Sequence, residues 1–331
     1  MSTIDIIDGP ATAQPLPWPE FRAELLSLYE LPIRTLAARR ELARTLDLVG
    51  ALGVATTADL TAPLVAQFVA GRPAGESPHT TLKHLRNIRI AANVALRSGY
   101  LARSPFLVRP VNRWIRVPRP AGKRHLTRPE LAALLGTLRA ECDDGRAGWP
   151  LWKARRLHAM AATAAMAGLR AGELCRLEVG DLAMADRIIH VRPHQRQLKT
   201  AASAAPVPMC DALAAILQAW LAFRLAPPTM AGRPPSEIPW IYPGCRGRGP
   251  WTNGPPGEKP VEILGAAGRR AGIEGVTFQA LRRSLATHLE GDGVGGAMIA
   301  RILRHSERVS EEYYRQADAE NMRRAVAGLS F

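Results

Sequence analysis

Between Val108 and Thr127 the chain reads VRPVNRWIRVPRPAGKRHLT, where prolines at 110, 118 and 120 are interspersed with arginines and lysines. Proline lacks an amide hydrogen and disfavours helix in the residue before it, so neither a helix nor a central strand can run through this segment. It ends at Thr127-Arg128-Pro129-Glu130, the pattern of a capping box, with Thr127 at the N-cap and Glu130 reaching back from the third helical position. A basic linker followed by an abrupt helix start divides the chain in two. The 331 residues suffice for two domains of ordinary size. The expected divisions are a mobile arm at 1–16, a helical domain at 17–112, a linker at 113–125 and a second domain at 126–331.

Apolar residues in the first half recur at helical spacing, as in Phe21, Leu25 and Leu28, and again in RTLAARRELARTLDLVGAL. Asp59 stands just ahead of a further helical run in TTADLTAPLVAQFVAG. In SPHTTLKHLRNIRIAANVALRSGYL the stripe is Leu82, Leu85, Ile88, Ala92 and Leu96, with Lys83, His84, Arg86, Asn87 and Arg89 mainly off it. Such a basic face fits a helix laid on DNA phosphates, and equally an ordinary solvated face. Charge decides which partner to consider: 44 Lys and Arg against 29 Asp and Glu leave +15, so a polyanion is expected. Lys83, His84, Arg86 and Arg89 on the helix, with Arg113 and Arg116 in the linker, are the candidate contacts to duplex DNA.

The second half reads as helices in LTRPELAALLGTLRAE and WPLWKARRLHAMAATAAMAG, broken at Gly168. RIIHV and APVPM are short β-branched runs that can pair as a hairpin, with Lys199 in the turn. A helix at DALAAILQAWLAFRL, a strand at PWIYP, and helices in VEILGAAGRRAGI, FQALRRSLATHLEGDG, AMIARILRH and AENMRRAVAGL complete the expectation. The fold class is therefore mainly α with a small antiparallel β-sheet. Cys142, Cys175, Cys210 and Cys245 stand far apart, so they are expected to be reduced and structural, and neither a metal nor a cofactor is expected. No apolar run reaches the roughly 18 residues of a membrane span, and the first residues lack the parts of a signal peptide. A cytoplasmic, nucleoid-associated protein is the expectation.

Four segments of the second half carry a common pattern. AGLRAGELCRLEVGDL places Arg170 after a helix end with Glu173 three residues on. QLKTAASAAPVPM holds Lys199, FQALRRSLATHL holds Arg282, and ILRHSERVSEEYY spaces His305 and Tyr314 nine residues apart. Together they resemble the tyrosine recombinase, or phage integrase, family of Xer-like site-specific recombinases. The helical first half resembles that family's SAM-like core-binding domain, and the second its catalytic domain. The resemblance implies a DNA recombinase that cuts and rejoins strands through a 3′-phosphotyrosine intermediate on Tyr314. It also implies a tetramer assembled on two DNA sites, with other recombinases encoded alongside as further partners.

The residue types suit that chemistry. Two permanently charged, planar guanidiniums, Arg170 and Arg282, can clamp the nonbridging oxygens of a phosphodiester under attack. Tyrosine is a weak nucleophile at its free pKa near 10 and needs a cationic, desolvated site. Lys199 on a hairpin can protonate the leaving 5′ oxygen, His305 can hydrogen-bond the phosphate, and Glu173 can orient a neighbouring catalytic side chain.

The family pattern is broken at two places. Gln279 stands where the family has histidine, with Arg283 where a second histidine is frequent, and glutamine cannot accept and carry a proton at neutral pH. Arg304 replaces the glycine of the family's L-G-H, where it either alters the turn before His305 or adds a phosphate contact. Tyr313 is a second hydroxyl beside Tyr314, and Arg196 a second cation near Lys199. Three alternatives remain: a catalytically weakened DNA-binding accessory member of the family, a type IB topoisomerase-like enzyme, and a nonspecific nucleic-acid binder. The last helix, with Met322, Val326 and Leu329 as apolar points, either docks on a neighbouring subunit or caps its own domain.

Overall fold

The computed structural model describes residues 12–28, 36–107, 109–117, 123–192, 206–226, 237–245, 249–252 and 258–304. The chain divides into two compact units, Met1–Pro120 and Ala121–Phe331.

The described residues of the first unit pack four helices: α1 (Trp18–Leu28), α2 (Leu36–Gly50), α3 (Ala62–Ala70) and α4 (Pro78–Arg97). Ser77 caps α4, and Ala91, Ala92 and Ala95 on its inner face are fully buried with Leu85 and Ile88. Their small side chains let Phe21 and Leu25 of α1 and Leu42 and Leu46 of α2 share the same core. Asp59 does not lead into α3. Its carboxylate accepts the amides of Ala55 (2.9 Å) and Thr56 (2.8 Å) and so closes the preceding 3₁₀ turn, while Thr61 caps α3.

The second unit is built around α6 (Gly148–Ala167), flanked by α5 (Arg128–Asp143), α8 (Asp211–Phe223) and α10 (Phe278–Gly291). Helix α6 is buried nearly all round, as its run of alanines between residues 159 and 167 allows. The expected capping box opens α5: Thr127 donates its amide to Glu130 Oε2 (2.8 Å), and the Glu130 amide bonds the Thr127 hydroxyl. The Arg124 guanidinium and the Thr127 amide hold the Glu130 carboxyl down to about 2. Arg156 on α6 is buried with its guanidinium between the Trp152 and Trp251 rings, 4.4 and 3.6 Å from their centroids, and donates to the Pro243 carbonyl. With no carboxylate bonded to it among the described residues, this cation is held by indole faces and backbone.

Three antiparallel strands lie in the order β1 (Leu182–Ala183), β2 (Ile188–His190), β3 (Pro206–Pro208), with Ile189 opposite Val207. The expected hairpin pair is β2 and β3, and β1 is too short to show in an alternation pattern. PWIYP is not a strand. Pro239 and Pro243 bound it, and it keeps a Glu178–Trp240 bridge and the Ile241 amide to the Leu177 carbonyl (2.8 Å). The remaining helices are α7 (Ala171–Cys175), α9 (Pro260–Arg270) and α11 (Gly296–Leu303). Among the described residues, no helix is long and apolar enough to cross a membrane, and no cluster of metal-ligating side chains occurs.

Burial holds three histidines, His84, His158 and His288, below their usual 6.5. A histidine that stays neutral in the fold binds fewer protons than in the unfolded chain. Its contribution is therefore fully present above the unfolded value and is lost as pH falls toward the lowered folded values. The melting temperature is expected to drop between about pH 7 and pH 5. Thermal melts across that window check it, and His84→Gln should flatten the slope.

Candidate active site

Helix α6 stops at Gly168, which takes φ +62°. A Cβ there would stand 2.6 Å from Leu303 Cδ2 and 2.9 Å from Leu285 Cδ2, so only glycine fits the close approach of α10 and α11. Gly168→Ala combines left-handed strain with overpacking and is expected to cost about 2–4 kcal/mol, read as a lowered melting temperature.

This break carries the site. The chain leaves Gly168 extended, and Arg170 becomes the N-cap of α7, where Glu173 closes back on it. Glu173 accepts the Arg170 amide on Oε2 (2.9 Å) and Arg170 Nη1 on Oε1 (2.7 Å). Arg282 comes in from the second turn of α10 with only 1 % of its surface exposed. Its Nη1 donates to the Gly168 carbonyl and its Nη2 to the Leu303 carbonyl. Arg170 Nη2 donates to the next carbonyl along, that of Arg304, at 3.0 Å. Two guanidiniums from segments 112 positions apart therefore meet on adjacent peptide units at the end of α11.

Arg304 answers the question of the missing glycine. It ends α11 at φ 53°, ψ 57°, so the turn keeps the left-handed form that glycine would give it. A non-glycine residue there costs about 1–2 kcal/mol. The side chain folds inward and is fully buried, with Nη2 on Glu173 Oε2 at 2.6 Å. Its Nε and Nη1 have no hydrogen-bond partner among the described residues. Burial alone would raise the Glu173 carboxyl, but the charge of Arg304 and the hydrogen bonds from Arg170 outweigh it and hold the group below the usual value. Three guanidiniums and one carboxylate leave the spot strongly positive, which favours an anion.

Gln279 is exposed on the first turn of α10, one turn before Arg282. Arg283 donates Nε to the Arg124 carbonyl at 2.8 Å. Lys199, His305, Tyr313 and Tyr314 lie outside the described residues, as do Arg196 and the last helix.

In the first unit, Arg86, Arg89, Arg113 and Arg116 are exposed, and Lys83 is exposed beside Glu41, with which it pairs. His84 is a correction: it is 3 % exposed and cannot lie on DNA. The Thr45 hydroxyl donates to the Glu41 carbonyl, so its oxygen accepts from Asn87 (2.9 Å) and from His84 Nδ1 (2.8 Å). The Phe68 ring packs edge-on against the imidazole. The signal was present in the spacing, since 84 falls with 81, 85 and 88 on one helical face.

The family model described as the phage integrase family matches residues 151–321. Among solved structures, the chain is similar to the Tn1549 transposon integrase in complex with a circular intermediate DNA. That likeness has 15 % identity and a TM-score of 0.71, over 95 % of this chain and all of the other. It is also similar to a lambda integrase dimer bound to a core site, with 14 % identity and a TM-score of 0.65, over 92 % of this chain and 79 % of the other. At these identities the likeness is one of fold, mostly helical with a small antiparallel sheet. No curated protein sequence matches the chain significantly.

Proposed function

Because the chain belongs to the phage integrase family, we propose that it is a site-specific DNA recombinase whose nucleophile is Tyr314. The observation that carries the reading is the meeting of Arg170 and Arg282 on the adjacent carbonyls of residues 304 and 303. In this reading the two guanidiniums supply the fixed donors that meet the charge developing in strand cleavage, and the peptide units they hold immediately precede His305 in sequence.

In the proposed reaction the Tyr314 phenol oxygen attacks phosphorus and the bond to the 5′ oxygen breaks. The product is a 3′-phosphotyrosyl link and a 5′ hydroxyl. Arg170 and Arg282 spread the added negative charge, Lys199 gives its proton to the leaving oxygen, and His305 hydrogen-bonds the phosphate. Attack by a 5′ hydroxyl from another strand reverses the step and rejoins DNA, with no external energy source. The core-binding part, 17–112, and the catalytic part, 126–331, would both hold duplex DNA. Arg86, Arg89, Arg113 and Arg116 supply phosphate contacts, and Lys83 does so if it leaves Glu41. A tetramer on two sites and the setting of a mobile element follow from the same reading. So does docking of the last helix, through Met322, Val326 and Leu329, on a neighbour.

The phenol proton has to leave, and Gln279 cannot take it. The enzyme is therefore expected to be slow, with Gln279→His raising single-turnover cleavage by about tenfold or more. The test is a denaturing gel of protein incubated with nicked duplexes tiled across the DNA flanking its own gene. A DNA-linked band from the wild type supports the recombinase. The exposed Gln279 favours one second reading, an accessory DNA-binding member of the family. A band from Gln279→His with none from the wild type would establish that instead.

A further inference from the structure

We propose that Arg304 is a positioning residue for strand cleavage: it divides Glu173 with Arg170 and thereby sets the direction of the Arg170 guanidinium. This rests on the recombinase reading above.

Three contacts form a closed ring. Arg304 Nη2 holds Glu173 Oε2 at 2.6 Å, Glu173 Oε1 holds Arg170 Nη1 at 2.7 Å, and Arg170 Nη2 holds the Arg304 carbonyl at 3.0 Å. The ring ties the N-cap of α7 to the C-cap of α11, two positions 134 residues apart in sequence. Each member has one alternative if the ring opens. With glycine at 304, Oε2 would keep the Arg170 amide alone, and the carboxylate could swing to take both guanidinium nitrogens in a fork. Arg170 would then turn away from the 304 carbonyl, and the tie between α7 and the end of α11 would go with it.

The residue also persists against local preference. A left-handed backbone favours glycine, yet this position carries a long cation whose whole side chain is buried. Two of its N–H groups lack partners among the described residues, so packing alone does not reward the arginine. What the side chain does accomplish is the Glu173 contact. It does not reach the surface to touch a phosphate, and it does not change the turn. Both earlier alternatives for this position are thus replaced by a third.

The test compares wild type, Arg304→Gly, Arg304→Lys, Glu173→Gln and the double variant Glu173→Gln with Arg304→Gly. Readouts are single-turnover cleavage of a nicked duplex, affinity for the same duplex, and melting temperature. Arg304→Gly suits the backbone and should fold as well as the wild type and bind DNA within about threefold, while cleaving about thirtyfold more slowly, as misaligned clamps do. Lysine, with a single charge of similar reach, should recover part of that rate. In the Glu173→Gln background the glycine substitution should add little, because the shared carboxylate is gone. Equal cleavage by wild type and Arg304→Gly, or losses that simply multiply in the double variant, would overturn the role of Arg304 alone. Absence of any adduct from the wild type would overturn the recombinase reading itself, and this proposal with it.

Discussion

Tyr314→Phe is expected to abolish the covalent protein–DNA adduct, lowering cleavage by at least about a thousandfold. The substitution removes one oxygen and keeps the ring, so packing, melting temperature and DNA affinity should stay near wild type. Nothing else in the proposed site can replace that oxygen in line with phosphorus. Lys199, Arg170, Arg282 and His305 are all assigned to charge or proton handling, and water would yield free ends rather than a stored bond. Tyr313→Phe is the matched control and should retain the adduct. The two hydroxyls differ by one residue, so the pair of variants separates the nucleophile from a neighbour that merely packs. Denaturing gels with end-labelled DNA provide the measurement.

Arg282→Ala should strike both stability and chemistry. Its guanidinium is buried and bonds the Gly168 and Leu303 carbonyls, so alanine leaves two buried acceptors without their donors and a void between α6, α10 and α11. The expected cost is about 3–5 kcal/mol, with cleavage down by more than about a thousandfold. Arg282→Lys separates the two effects. Lysine keeps the charge but offers no planar fork, so it can serve one carbonyl or the other, not both. It should recover most of the melting temperature while cleavage stays about a hundredfold low, since only a fork can also face the phosphate. Recovery of stability and rate together would mean that Arg282 acts through folding alone. Chemical denaturation and single-turnover cleavage on the same preparations decide this.

Local rules with short reach were readable in the residues. The capping box at Thr127 and Glu130 involves neighbours three apart, and the β2–β3 hairpin alternates over a few positions, so both follow from pattern. Gly168 marks a helix end for the same reason. The order of Arg170, Arg282, His305 and Tyr314 was likewise legible, but only as a resemblance, since spacing in sequence does not bring side chains together. What was not legible depends on partners far along the chain. His84 reads as polar, and its burial depends on Thr45, 39 positions away, which supplies an acceptor for a neutral imidazole. Arg304 reads as a residue that alters the turn or touches a phosphate, and its burial depends on Glu173, 131 positions away. PWIYP has the composition of a strand, yet prolines at both ends restrict it to an isolated bridge. For His84 and Arg304 tertiary pairing overrode the local preference, whereas in PWIYP the flanking prolines outweighed the strand-forming residues between them.

The most direct test of the account is to locate the atom that carries DNA. Adduct formed on a nicked duplex would be digested with nuclease and trypsin, and the modified peptide fragmented by mass spectrometry. Cleavage after Arg308 and Arg315 isolates VSEEYYR, which contains both tyrosines. The expected product is a nucleotide joined through its 3′ phosphate to Tyr314, with Tyr313 unmodified. A nucleotide on Tyr313, on any other residue, or joined through a 5′ phosphate would contradict it.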